Sequence, residues 1–285
     1  MRKGSDTVID GSTRIVITGG GSGIGRLVAL AAARKGAHVV LWDRDERAAR
    51  AVVAEIDAED GRATAVVVDL TDADAIELAA AETLMLGPVD VVVNNAGVIS
   101  GKPLASLSVA QIERTMRVNA IAPILVTRAF LPAMRDAGRG RIVTVASAAG
   151  FIGVAGQTDY AASKFAAVGF MESLRAELRK ERSPITTLTV APFYIDTGMF
   201  DGVTTKVPAL LPILSQARVA TQLLAAIESR RTLLALPPLV RLVPAIKALP
   251  TALGDLVADA LGVNEGMDAF RGRQAARRDG ERALR

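Results

Sequence analysis

An α/β fold built on a doubly wound parallel sheet is predicted by three features of the sequence. Short β-rich runs alternate with longer stretches of helical periodicity along most of the chain. The β-rich runs are apolar throughout and do not alternate with polar residues, as expected of strands covered by helices on both faces. The first run leads directly into a glycine-rich turn, "TGGGSGIG", that opens a helical pattern. Such an order implies right-handed crossovers within one sheet.

The strands read, in order, as "TRIVITG", "HVVLWD", "TAVVVDL", "VDVVVNN", "GRIVTVAS", "ITTLTVAP" and "TLLALP". Helices are expected over Gly23–Lys35, Asp45–Glu59, Asp72–Leu86, Val109–Arg135, Thr158–Arg182 and Ser215–Arg230. No Gly/Ser/Pro-rich linker and no internal repeat interrupts this order, so residues 1–236 read as one domain. Beyond Leu236 an apolar stretch carries Pro237, Pro238, Pro244 and Pro250, which break it into short helical pieces. Residues 237–285 therefore read as a helical appendage with a basic tail, not as an independent domain.

Composition narrows the function. A chain of 285 residues, half of them apolar and 22% charged, can bury a sizeable core and is not generally disordered. There is no cysteine, which excludes disulfides and thiolate metal sites. His38 is the single histidine and lies in a predicted strand, so neither a Ser–His–Asp triad nor a metal centre is expected. The N-terminus lacks the apolar run of a secretory signal. The longest uncharged run, Ile142–Thr158, falls short of the ~18 residues of a membrane span. The expected location is cytoplasmic, with peripheral membrane contact as the second option. The tail Arg271–Arg285 holds six arginines against Asp279 and Glu281, a net +4 that equals the charge of the whole chain. The rest balances, so a nucleic-acid partner is not expected.

In the glycine-rich turn, Gly19, Gly23 and Gly25 fall in a GxxxGxG spacing that contains Ser22 and Ile24. A turn of this kind lets backbone N–H groups approach a pyrophosphate whose charge the helix N-terminus favours. Asp43 ends the second strand, where a carboxylate can accept from ribose hydroxyls and repel a 2′-phosphate. Ser22 adds no positive charge for such a phosphate, whereas Arg44 argues the other way. The balance predicts NAD, with NADP as the lesser alternative.

Tyr160 and Lys164 stand four residues apart on one predicted helix and so share a face. A nearby ammonium favours the phenolate, which is expected to bring the phenol below its ordinary value of about 10. Tyr160 can then exchange a proton with an alcohol or carbonyl oxygen. Ser147, at the end of "RIVTVAS", can hold that oxygen by a hydrogen bond.

"TGGGSGIG", "NNAG" at Asn94–Gly97, Ser147 and "YAASK" together resemble the short-chain dehydrogenase/reductase family, from about Thr13 to Thr197. The resemblance implies a Rossmann fold with a seven-stranded parallel sheet, a nicotinamide cofactor, and homodimers or homotetramers formed through the long helices. It implies that Lys164 holds the nicotinamide ribose and that Asn119 braces a helix and a proton-relay water. Asp69 and Leu70 would meet the adenine, and Asn95, Ala96 and Gly97 would line the cofactor. Pro192, Ile195 and Thr197 would hold the carboxamide end. One departure stands out. The family's Pro-Gly after the sixth strand is Pro192-Phe193 here, which restricts the turn and brings a ring to the nicotinamide. A narrower likeness, carried by "VVLWDRDE", "APFYIDTGMF" and the proline-broken C-terminus, is to the subgroup of retinol dehydrogenase 10 and 17-beta-hydroxysteroid dehydrogenase type 11.

The expected function is hydride transfer between NAD(H) and an alcohol or its carbonyl. The segment Phe193–Leu214 is mostly apolar, and burial of apolar surface at about 25 cal/mol per Å² favours a steroid-, retinoid- or lipid-like substrate near Phe193 and Met199. The alternatives are a non-catalytic dinucleotide sensor and a sugar or polyol dehydrogenase of the same family. The C-terminal segment is expected to act as a lid or as a membrane contact.

Overall fold

The structure, a computed structural model, describes residues 8–272. Seven parallel strands form one sheet in the order β3-β2-β1-β4-β5-β6-β7. They are β1 (Arg14–Thr18), β2 (His38–Asp43), β3 (Arg62–Val67), β4 (Val91–Asn94), β5 (Arg141–Val145), β6 (Thr186–Pro192) and β7 (Leu233–Leu236). Every predicted strand is present. Along β1, Ile15 and Ile17 enter one apolar cluster and Val16 enters the cluster on the opposite face. Both faces are covered by helices, so the strands send apolar side chains to both sides of the sheet. Burying each such Val, Ile or Leu contributes roughly 1.5–3 kcal/mol.

The helices are α1 (Gly23–Ala33), α2 (Glu46–Asp57), α3 (Ala73–Met85), α4 (Val109–Met116), α5 (Ala122–Asp136), α6 (Thr158–Lys180), α7 (Gln216–Ile227), α8 (Val243–Ile246) and α9 (Thr251–Ala260). Their starts are written in the sequence. Asp45 accepts from the Ala48 amide, Asp72 from those of Asp74 and Ala75, and Ser108 forms a capping box with Gln111.

One expectation is corrected. The continuous helix predicted over Val109–Arg135 is two helices joined by a π turn, Arg117–Ile121. The reason is local: Pro123 has no N–H to give to the carbonyl of Asn119, four residues earlier. The widened turn presents Asn119 to the loop after β4.

Crossovers leave β1 in opposite directions, so a crevice opens where β1 and β4 meet, at the carboxyl ends of the strands. The register aligns Thr18 with Trp42 and Asn94 with Thr144. The residues that follow β1, β2, β4, β5 and β6 therefore share one edge of the sheet. Beyond β7 the chain forms a 3₁₀ turn at Pro238–Leu242, then α8 and α9, broken at the prolines as expected. Among the described residues no helix is long and apolar enough to cross a membrane. The basic tail lies outside the described residues beyond Gly272.

Candidate active site

The glycine-rich turn follows β1 and takes the positive φ angles that its glycines permit, 64° at Gly19 and 55° at Gly23. A β-carbon at Gly25 would run into the Gly19 carbonyl oxygen and lie 2.6 Å from Asn95 Nδ2. At Gly21 it would lie 2.9 Å from Asp43 Oδ2. The turn is tied to its neighbours. The Gly21 amide donates to Asp43 Oδ2 at 2.9 Å, and Asn95 Nδ2 donates to the Thr18 and Gly19 carbonyls at 2.9 and 3.2 Å. Thr18 Oγ1 accepts from the Asn95 and Ala96 amides at 3.0 and 3.1 Å. These bonds join the ends of β1, β2 and β4 into one rigid floor.

Above the floor lies a cavity of about 510 Å³. It begins at Gly19, Ser22, Gly23 and Ile24 and passes Asp43, Arg44, Asp69 and Leu70. It then follows Asn95, Ala96 and Gly97 to Ser147, Tyr160 and Lys164, and ends among Pro192, Phe193, Ile195, Thr197 and Met199. All of these were expected from sequence. The first amides of α1 have no intrahelical acceptor, and the cradle of small residues leaves room for a phosphate, so the residues present fit a dinucleotide. Asp69 Oδ1 accepts from the Thr71 amide and hydroxyl, which holds its carboxyl below the usual carboxylate range.

Two expected residues do not line the cavity. Gly25 packs under the turn, where only hydrogen fits. Asn119 is buried behind the site: its Oδ1 accepts from the Val98 amide at 2.9 Å, and its Nδ2 donates to the Val98 carbonyl at 2.8 Å and Ser163 Oγ at 3.0 Å. Ser163 Oγ donates in turn to the Tyr160 carbonyl at 2.7 Å. Asn119 thus connects the loop after β4 to the helix that carries Tyr160.

Tyr160 and Lys164 lie on one buried face of α6. Lys164 Nζ donates to the Val145 carbonyl at 2.9 Å and stands 5.6 Å from the centroid of the Tyr160 ring. The expected lowering of the phenol is reversed. Burial pushes Tyr160 up to about 12, and a hydrogen bond with Ser147 offsets only part of that rise. Burial also pulls Lys164 down to about 8. Both charged forms lose water on burial, and that loss sets the direction of both shifts. Ser147 Oγ accepts from the Ala149 amide at 3.1 Å, which fixes the hydroxyl beside the phenol.

Phe193 does not strain the turn, because its φ is not positive and its amide donates to the Leu236 carbonyl at 2.7 Å. Its ring packs on Tyr194 at 4.4 Å between centroids and lines the cavity. It also lines a second cavity of about 80 Å³ that shares Ser147 with the first. That smaller chamber is walled by Ile152, Val154 and Leu211, and roofed by Leu239, Val240, Val257, Ala258 and Leu261. Sequence reading missed Gln157, Ser163, Tyr194 and these roof residues. Gln157 and Ser163 could have been suspected from their place within a turn of Tyr160; nothing local marks the roof.

Comparison with known proteins covers both the sheet and the site. A family model described as short chain dehydrogenase matches residues 13–208. Epidermal retinol dehydrogenase 2 of Mus musculus is 39% identical over 265 residues, which span 91% of this chain and 85% of the relative. Retinol dehydrogenase 10 also stands among the relatives, in keeping with the narrower likeness. A short chain dehydrogenase/reductase from Burkholderia phymatum in complex with NAD is similar with a TM-score of 0.76 at 28% identity, over 84% of this chain and 94% of that one. A metagenomic short-chain oxidoreductase in complex with NADP is similar with a TM-score of 0.68 at 35% identity, over 80% and 97%.

Proposed function

The chain belongs to the short-chain dehydrogenase family, and from that premise we propose that it transfers a hydride between NAD(H) and a lipophilic alcohol or its carbonyl. The observation that carries this reading is the meeting of Ser147, Tyr160 and Lys164 at the end of the long cavity, where the apolar chamber joins it. The nicotinamide, when bound, supplies or accepts the hydride. Ser147 holds the substrate oxygen, and Tyr160 takes the hydroxyl proton in oxidation and returns it in reduction. The Lys164 ammonium favours the phenolate as it forms. Asn119 and Ser163 position Tyr160 through its backbone.

The preference for NAD is supported by Asp43. Its carboxylate is held at the cavity wall by the Gly21 amide, where a 2′-phosphate would meet its charge. Retinoid- or steroid-like substrates are supported by the retinol dehydrogenase relatives and by the apolar chamber. The same chamber supports a lid role for the C-terminal segment, and we read residues 1–236 as the dehydrogenase domain with 237–285 as its appendage. A second reading, peripheral membrane contact, has the exposed Leu242, Leu249, Leu253 and Leu256 in its favour. Homo-oligomers through α4–α6 are supported by the exposed Ile121, Ile124 and Phe165.

The test is turnover by the purified chain on retinol, a hydroxysteroid and a polyol, each with NAD and with NADP. Retinol or steroid with NAD should give the highest kcat/KM; a polyol preference would overturn the substrate class, and an NADP preference the cofactor. Sedimentation with anionic vesicles at low and high salt, and light scattering, test the membrane and oligomer readings.

A further inference from the structure

We propose that Gln157 and Tyr194 form a second recognition point, which reads an oxygen that the substrate carries away from its reacting carbon. The inference deepens the dehydrogenase reading above and rests on it.

The small chamber is lined by apolar side chains except for three: Ser147, Gln157 and Tyr194. Ser147 stands at the mouth shared with the larger cavity and is engaged in the chemistry. The other two are buried, at 1% and 6% exposure. They are joined by a bond of 2.9 Å from Gln157 Nε2 to the Tyr194 hydroxyl. Both are held in place. The Gln157 amide donates to the Val154 carbonyl at 3.1 Å, and the Gln157 carbonyl accepts from the Ala161 amide at 2.6 Å. The Tyr194 ring packs on Phe193 and on Phe200, at 4.4 and 5.2 Å between centroids. Phe200 in turn meets the Tyr160 ring at 6.0 Å. The two tyrosines of the chain are thus separated by a single aromatic ring.

A count of hydrogens shows what the pair lacks. The amide has two donor hydrogens and the phenol has one. If the amide nitrogen donates to the phenol, the phenol hydrogen and one amide hydrogen remain. If the amide is turned, the phenol donates to its oxygen and both amide hydrogens remain. In either arrangement the pair keeps donor capacity, and no described residue accepts it. Burial pushes Tyr194 up to about 12, so its hydroxyl stays a donor at neutral pH.

Buried donors are nearly always paired. In this chamber the partner is water or a ligand atom, and about 80 Å³ is room for a few of either. An acceptor oxygen on the substrate satisfies the pair, whereas a hydrocarbon end would displace water and leave the donors bare. The chamber therefore selects a lipophilic alcohol or ketone whose far end bears a carbonyl, hydroxyl or ether oxygen.

The test uses two matched pairs of substrates with the purified full chain and NAD. One pair is a hydroxysteroid with a keto group on its far ring and the same steroid without it. The other is retinol and its ring-oxidised ketone. In whichever pair turns over, the oxygenated member should have a kcat/KM about 10- to 100-fold higher, mainly through KM. Tyr194→Phe should cut that preference several-fold and leave the deoxygenated substrate at its original efficiency, and Tyr194→Phe with Gln157→Leu should erase it, because Gln157 alone keeps two amide hydrogens. Gln157→Leu provides a second variant should the first fail to fold. Equal efficiencies within a pair, or a Tyr194→Phe that slows both members alike, would overturn the proposal. No turnover of any of the four would instead bring down the dehydrogenase reading, and this inference with it.

Discussion

The two cavities that meet at Ser147 are built in opposite ways. The larger follows the carboxyl ends of six parallel strands, β1 to β6, and hydrogen bonds such as Gly21 N to Asp43 and Asn95 Nδ2 to Thr18 lock its floor. The smaller is assembled from side chains of the turn after β5, the segment after β6 and the pieces beyond β7, with apolar contacts as its main cement. Rigid strand ends and the buried face of α6 hold side chains to within a fraction of an ångström, as proton transfer requires. Irregular segments tolerate change and set which molecule fits. Substitutions that line only one cavity should therefore leave the other's measurement unchanged.

The largest effect should come from Tyr160→Phe. It removes the oxygen to which the proposed mechanism gives the proton, and turnover should fall about 10²–10⁴-fold on every substrate while substrate KM changes little. Steady-state kinetics on two unrelated alcohols checks this, and a loss confined to one of them would break the separation.

The pH profile sharpens the same point. The phenol lies at about 12 and the lysine at about 8. Alcohol oxidation needs the phenolate, so below about 8, where Lys164 keeps its charge, kcat/KM should rise up to about tenfold per pH unit. Carbonyl reduction uses the protonated phenol and should stay level over that range. A flat oxidation profile would assign the proton to another group.

Gly25→Ala tests the floor. The added methyl meets the Gly19 carbonyl and Asn95, which are backbone and a bonded amide and cannot yield cheaply. A cost of about 1–3 kcal/mol is expected, seen as a Tm lower by several degrees together with weaker NAD binding. Calorimetry that found NAD affinity intact would show that the floor is softer than its bonds suggest.

The smallest effect is expected from Ala258→Leu, which fills part of the apolar chamber. KM for a lipophilic alcohol should rise about tenfold with kcat and NAD affinity unchanged. A drop in NAD affinity would show that the cavities are coupled through Phe193.

How much of this was legible beforehand follows the same division. The strand–turn–helix at Thr18–Gly25, Asp43 at a strand end, and Tyr160 with Lys164 on one helix face were all readable, because each rests on neighbours within a few residues. The π turn at Asn119 was overlooked although Pro123 marks it, because the apolar periodicity continues across the break. The direction of the Tyr160 shift is not legible in the sequence. Spacing reports that the ammonium is near, but desolvation depends on everything packed around both groups.

By itself the sequence determined the order of elements, the sheet class, the glycine-rich turn after β1 and the placing of Tyr160 and Lys164 on one helix face, since local periodicity and turn chemistry act over one or two helical turns. Only the tertiary structure decided that Gln157 meets Tyr194 across 37 residues, that Thr18 bridges to Asn95 and Ala96, and that Leu239, Val240 and Ala258 roof a chamber beside Ser147. Those contacts come from long-range burial, in which any apolar side chain of suitable volume can serve, so the local pattern carries no mark of which one will.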